Sequence, residues 1–262
     1  KFRHGKKLAL TIGIKAARHE WLLMSDADCV PAGPDWITNM QENFTRKNSF
    51  VLGYGGYSRG KGLLNLHVRM DNTWIGMQYL GFALAGYPYM GVGRNLAYRK
   101  SLFFEKRGFA NHTHLESGDD DLFVNANARR DNTGVEISHP AHTRSLPPLT
   151  WSEWFKQKRR HLSTGSLYRL QTKFLLGSEW ITRVLFYTSL IILLLTYSLW
   201  YVPLGLFLLR WVVNLVVFKF VMRRLNEKNL LLYSLFYDLF QPVQNMLVFI
   251  ASQVYARKNR WK

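Results

Sequence analysis

From Val184 to Leu209 the chain carries no charged residue. That run exceeds the roughly 20 apolar residues that cross a bilayer core, so the fold must bury it in a large core or place it in a membrane. Pro203 and Gly205 fall where a tight turn would. They favour a helical hairpin, Ile181 to Val202 out and Pro203 to Met222 back. The alternative is one helix from Val184 to Leu209 followed by an interfacial stretch. It would set Arg223, Arg224 and Lys228 across the membrane from the basic segment Lys156 to Arg160, which the positive-inside rule disfavours. Arg210, Asn214 and Lys219 on the returning helix need a partner helix or an interface. A third apolar segment, Leu230 to Ala256, is interrupted by Asp238, Gln241 and Pro242 and followed by Arg257, Lys258, Arg260 and Lys262. It reads as a broken, re-entrant or interfacial pair.

The remaining length of the 262-residue chain suffices for one sizeable domain. A formal net charge of +18 draws such a chain to anionic partners, whether nucleic acid, lipid headgroups or a phosphorylated substrate. The single cysteine, Cys29, excludes an internal disulfide and a multi-cysteine metal site. The chain opens at Lys1 without an initiator Met or signal peptide and enters a helical pattern at once through Leu8, Ile12 and Ala16, as a fragment of a longer protein does.

Three constellations carry chemistry. The apolar run Trp21 to Met24 reads as a buried strand that ends at Ser25-Asp26-Ala27-Asp28, where open α/β sheets bind ligands. In an extended segment Asp26 and Asp28 point the same way and suit Mg²⁺ or Mn²⁺ already bonded to a diphosphate; the plainer reading is a strand-end turn. Next, Gly118-Asp119-Asp120-Asp121 precedes a helical pattern through Leu122, Val124, Ala126 and Ala128. Helix capping accounts for one or two of these aspartates, and a carboxylate at a cleft edge also suits general-base work on a hydroxyl. Finally, in the stretch Trp151 to His161 the residues Trp151, Trp154 and Phe155 share one helical face and the basic residues largely occupy the rest. That pattern predicts a helix lying in a membrane interface, with Gln157 and Arg160 on one face able to grip a diphosphate. The irregular spacing of His112, His114, His139 and His142 reads as surface or strand-end histidines rather than a zinc site.

In this order the residues resemble the family 2 glycosyltransferases. Gly5-Lys6-Lys7-Leu8-Ala9-Leu10-Thr11-Ile12-Gly13-Ile14 is similar to the family's G-K-x-x-A-L-N-x-G-I/L helix, with Thr11 in place of Asn. Asp26-Ala27-Asp28 matches its D-x-D, and Gly93-Arg94-Asn95-Leu96-Ala97-Tyr98-Arg99 with Gly108-Phe109 resembles its G-x-N-x-A-x-R and G-F stretch. Gly118-Asp119-Asp120 stands where the family has G-E-D, and Gln157-x-x-Arg160-His161 resembles Q-x-x-R-W with His161 for Trp.

The resemblance implies a partial α/β domain of GT-A type, with a Rossmann-like mixed sheet, over residues 1–150. An amphipathic interfacial region over 151–180 and transmembrane helices over 181–262 would follow, on a multi-pass protein of the inner membrane with its catalytic domain in the cytoplasm. It implies inverting transfer from a nucleotide sugar, often a UDP-sugar, to a lipid-linked or glycan hydroxyl. Asp26 and Asp28 would hold the metal, and Asp120 would be the base with Asp119 the nearest alternative. Lys6, Gln157 and Arg160 would bind the diphosphate, and Gly93, Asn95 and Asp121 would line the acceptor side. With His161 in place of Trp, single transfer is implied at least as readily as processive polysaccharide synthesis, and the family's nucleotide-binding first strands have no counterpart. The rival class is a non-enzymatic basic membrane protein that binds lipid or nucleic acid, which leaves the aspartates unexplained because they oppose phosphate binding. A nucleotidyl- or phosphoryl-transferring α/β protein would be expected to carry a Gly-rich loop with Lys and Ser/Thr, and none is present.

Overall fold

The computed structural model describes residues 5–113, 115 and 117–259; His114, Arg260 and Lys262 lie outside the described residues. The chain forms two units, Lys1–Tyr168 and Arg169–Lys262.

In the first unit α1 (Gly5–Ala16) leads into β1 (Trp21–Met24) and β2 (Val30–Pro31), then α2 (Trp36–Gln41), β3 (Phe50–Gly53) and β4 (Gly55–Tyr57). The long helix α3 (Leu63–Leu84) follows, then β5 (Leu96–Arg99), α4 (Lys100–Glu105), α5 (Asp121–Asn127), β6 (Thr133–Glu136), β7 (Thr143–Ser145) and α6 (Trp151–Thr164). A four-stranded sheet has the order β1-β5-β3-β6 and a three-stranded sheet the order β2-β7-β4. Both are mixed: β5 runs antiparallel to β1 and β3, while β6 is parallel to β3. Central β3 is buried along its whole length, as its continuous Phe50-Val51-Leu52 demands. Its aromatic ring joins Tyr98, Phe103, Phe109 and Phe123 in edge and tilted pairs beneath the sheet. Strand β1 departs from expectation. It is a half-buried edge strand among the described residues, with only Leu22 buried.

The helix expected from Leu8 and Ile12 exists, but those two side chains face out, and α1 buries Lys7 and Ile14 instead. The helix expected at Trp151 also exists, and its aromatic face is corrected. Trp154 is buried against Tyr57 and Val68, with Phe155 and Leu64 packed beside them, so that side of α6 packs into the core of the first unit, while Trp151 stays exposed. The reason is available in α3, whose own buried face supplies the partner that a membrane would otherwise have to provide.

The second unit holds α7 (Leu170–Thr196), α8 (Tyr201–Arg224) and α9 (Leu231–Asn259). Helices α7 and α8 are long and apolar enough to cross a membrane, by length and composition. The connection between them is Tyr197–Trp200, not Pro203-Gly205; Pro203 lies in the first turn of α8, where the missing N–H has no helical acceptor to lose. The third segment is one continuous helix with Pro242 inside it, not a broken pair. The Pro242 carbonyl receives the indole N–H of Trp180 at 3.0 Å. Fully buried Asp238 on α9 supplies the partner that the returning helix needed: it accepts from Arg210 Nη2 at 2.9 Å, Asn214 Nδ2 at 3.0 Å and Tyr187 Oη at 2.5 Å. Arg183 Nε lies 3.7 Å from the same carboxylate, and its Nη1 donates to Gln241 at 2.9 Å.

Candidate active site

Gly118, at φ +96°, turns the chain into the aspartate run; a Cβ there would sit 2.5 Å from Leu122 Cδ1 as well as in a left-handed conformation. The three aspartates then diverge. Asp120 is the N-cap of α5: Oδ1 accepts the Asp121 N–H at 2.8 Å, and Oδ2 accepts the Gly93 N–H at 2.7 Å. Asp119 forms an ion pair with Lys6 at 2.9 Å. Asp121 turns inward, accepts from Thr164 Oγ1 at 2.5 Å and Tyr168 Oη at 2.8 Å, and caps the Leu122 N–H. The capping reading of this run holds at Asp120 and Asp121.

Gly93 and Lys6 tie this run to the strand end about ninety residues earlier. A Cβ on Gly93 would lie 3.3 Å from Asp120 Oδ2 and 3.8 Å from Asp26 Oδ1, so the two carboxylates flank one bare backbone position. Lys6 Nζ bridges the same groups, 3.3 Å from Asp26 and 2.9 Å from Asp119. The segment after β1 closes a turn, with the Cys29 N–H on the Asp26 carbonyl at 3.0 Å, so Asp26 and Asp28 are not presented by extended backbone. Asp26 is half-buried at the site and Asp28 exposed beside it.

Electrostatics separates these groups. Burial, then the charges of Asp121 and Asp119, pushes the Asp120 carboxyl up to about 7, against the pull of the Gly93 N–H and Lys6. Burial also raises Asp121, partly offset by its bonds from Thr164 and Tyr168. Lys6 runs the other way: burial works against its charge, yet Asp119, Asp26 and Asp120 hold the ammonium well above its ordinary value. Its neighbour Lys7 is buried, and its Nζ donates to the carbonyls of His112, Leu115 and Ser117 at 2.6 to 2.9 Å, fixing the loop that leads into the aspartates.

Helix α6 is pinned at two points. Lys158 Nζ meets Asp71 on α3 at 2.5 Å in a buried ion pair, and Thr164 meets Asp121 on α5. Half-buried Gln157 directly precedes the first pin and exposed Arg160 lies between the two, three residues on and therefore on the same face. Through the Thr164–Asp121 hydrogen bond this end of α6 is tied to the aspartate run.

Two expected acceptor-side residues do not line a cleft. Asn95 is fully buried, accepts from Trp36 Nε1 at 3.1 Å and donates to the carbonyls of Tyr54 and Ala141 at 3.0 and 2.7 Å, so its amide clamps the two sheets together. Asp121 is likewise an anchor, for α6. Arg94, which sequence reasoning passed over, lies over the Tyr57 ring at 4.4 Å with Nη2 on Asn72 at 2.5 Å. His142 is buried rather than superficial, with Nε2 3.2 Å from the Ile137 carbonyl. Among the described residues no group of three or more His, Cys, Asp or Glu side chains stands ready to hold a metal ion.

The first unit is thus a mixed-sheet domain that gathers three carboxylates and a lysine near the end of β1. Residues 1–105 match the family described as glycosyl transferase family 2, so over this stretch the chain is similar to that family. No curated protein matches it. Among solved structures, 26 chains match. One is the mannosyltransferase PcManGT from Pyrobaculum calidifontis in complex with GDP-Man and Mn2+, with a TM-score of 0.46 and 14% identity over 90% of this chain and 67% of that chain.

Proposed function

We propose that this glycosyltransferase moves a sugar, with inversion, from a nucleotide-diphosphate sugar of UDP type to a hydroxyl on a lipid-linked or glycan acceptor at a membrane surface. The convergence of Asp26, Lys6, Asp119 and Asp120 around Gly93 carries this reading.

Asp120 is the base. Its two backbone N–H partners orient the carboxylate, and an affinity for protons near neutrality suits it to take the acceptor's proton as that oxygen attacks the anomeric carbon. Asp119 is the weaker candidate because Lys6 already holds it. As the bond between the anomeric carbon and the diphosphate breaks on the opposite face, negative charge gathers on the leaving group. Lys6 is a permanently charged partner for that charge, and Gln157 with Arg160 adds hydrogen bonds from α6.

A divalent cation fits this site. Two hard carboxylates on the turn after β1 are a donor set that leaves the other positions to water and diphosphate oxygens, as Mg²⁺ or Mn²⁺ requires. Asp26 and Asp28 would hold it, and it would supply Lewis-acid neutralisation of the leaving diphosphate.

Helices α7 and α8 anchor the enzyme in the membrane, with the first unit on the cytoplasmic side where Lys156 to Arg160 and Arg223-Arg224 belong. A thiol at Ser198, between the two helices, should then react with an impermeant reagent from outside intact cells. The activity is tested by product analysis of membranes carrying the complete gene across a panel of nucleotide sugars. Metal-dependent release of a glycosylated lipid or glycan is expected, and RNA binding without sugar transfer would overturn the reading in favour of a basic binding protein.

A further inference from the structure

We infer that the first unit carries its own docking surface for an anionic lipid bilayer, built from the loop before α6 and the start of α3 and separate from the carboxylate site. Large apolar side chains stand out there: Leu149 is 84% exposed, Leu146 71%, Leu63 62% and Trp151 47%. Two backbone features bring them together. The pairing of β4 with β7 continues as a hydrogen bond from the Ser58 N–H to the Ser145 carbonyl at 2.8 Å, so the chain entering α3 starts beside Leu146. Four residues beyond Leu63, on the same helical face, the His67 ring meets Trp151 at 5.2 Å.

The patch is stiff. Pro147 and Pro148 fix their own φ angles, and Glu153 accepts the N–H groups of Leu149 and Thr150 at 2.8 and 3.3 Å while Thr150 Oγ1 accepts the Glu153 N–H at 3.2 Å. The one carboxylate in the patch is thus occupied by backbone donors. Exposed Arg59 and Lys61 precede Leu63 by a few residues and exposed Lys156 follows Trp151 by five, so cations flank the apolar patch in the chain. Apolar side chains that reach into the acyl boundary, a tryptophan at headgroup level and a rim of cations match an anionic lipid surface. A protein partner is the poorer fit, because the cations would need a matching acidic ring around an apolar socket.

The geometry has a consequence for the site. At 1.5 Å per residue, α6 carries Gln157 about 9 Å and Arg160 about 14 Å along its axis from Trp151, a short reach for a lipid-borne hydroxyl. The inference rests on the reading of α7 and α8 as membrane spans, and the test keeps the two apart.

In the full chain with Cys29→Ser, single cysteines are introduced by Leu149→Cys and, separately, Leu208→Cys on α8. Each is labelled with a polarity-sensitive fluorophore and reconstituted into phosphatidylcholine bilayers with and without phosphatidylglycerol, with spin-labelled lipids as quenchers. The probe at 149 should read as apolar and be quenched by a shallow spin label, more strongly with phosphatidylglycerol, and the probe at 208 by a deep one. Lys61→Gln and Lys156→Gln should each weaken the anionic-lipid effect at 149 about fivefold, the value of roughly 1 kcal/mol per basic side chain at such a surface. A probe at 149 that stays water-like while that at 208 is inserted overturns the docking surface. A water-like probe at 208 beside an inserted one at 149 instead overturns only the membrane spans. Leu146→Cys repeats the measurement if the 149 variant fails to fold.

Discussion

Asp120 in the first unit and Asp238 in the second are both enclosed by charged neighbours, yet they are balanced in opposite ways. Asp238 is met by two guanidinium groups, an amide and a phenol, so every acceptor position is used. Asp120 has Asp119 and Asp121 as its sequence neighbours and shares a single lysine, Lys6, with Asp119 and Asp26. A surplus of cations around a buried carboxylate holds helices together, whereas a deficit leaves a carboxylate ready to take a proton. The first arrangement holds the helices together, and the second is the one on which the proposed mechanism rests.

The sharpest test of that contrast is loss of activity. Asp120→Asn keeps the shape and the Gly93 contact but removes basicity, so turnover of the complete enzyme should fall by about 10²–10⁴ while donor binding persists. If Asp119→Asn abolishes transfer and Asp120→Asn does not, the base is one residue earlier. Asp238→Asn should leave two guanidinium groups without their carboxylate and destabilise the second unit by about 3–5 kcal/mol, read by unfolding in detergent micelles.

The same Asp120→Asn change should act in the other direction on stability. With its folded pKa raised to about 7, Asp120 contributes stability below its unfolded value and loses it as pH rises through 7. At pH 8 the amide should therefore unfold later than the wild type, by on the order of 1–3 kcal/mol; an unchanged midpoint would mean the carboxylate is already well compensated. The smallest effect is a shift of the pH profile. The acid limb of kcat/KM should rise through about 7, and Asp119→Asn, by removing a like charge, should move it toward lower pH.

Much of this was legible beforehand because the signals are local. The helix at Gly5, the strand into Asp26-Ala27-Asp28, the helix start at Asp120 and the long apolar helices each announce themselves within a few residues. What stayed hidden depends on distant partners. Asn95 reads as a site residue until Trp36, Tyr54 and Ala141 are seen to use its amide. Leu8 and Ile12 read as a buried stripe, but burial depends on what packs against α1, and Lys7 won that place through three carbonyls. Lys158 was within reach: it lies seven residues after Trp151 and four after Trp154, on the aromatic face, so it had to be buried and had to find a carboxylate. Asp71 could not be guessed from that pattern, since α3 lies about eighty residues away in sequence.

The buried Lys158–Asp71 pair also bears on how the enzyme turns over. Lifting α6 off α3 would give up that pair together with the Thr164–Asp121 hydrogen bond at the other end of the helix. In the proposed mechanism Gln157 and Arg160 would then act as a fixed wall rather than a swinging lid, and the motion that admits the donor and releases the nucleoside diphosphate would come from segments held by weaker ties.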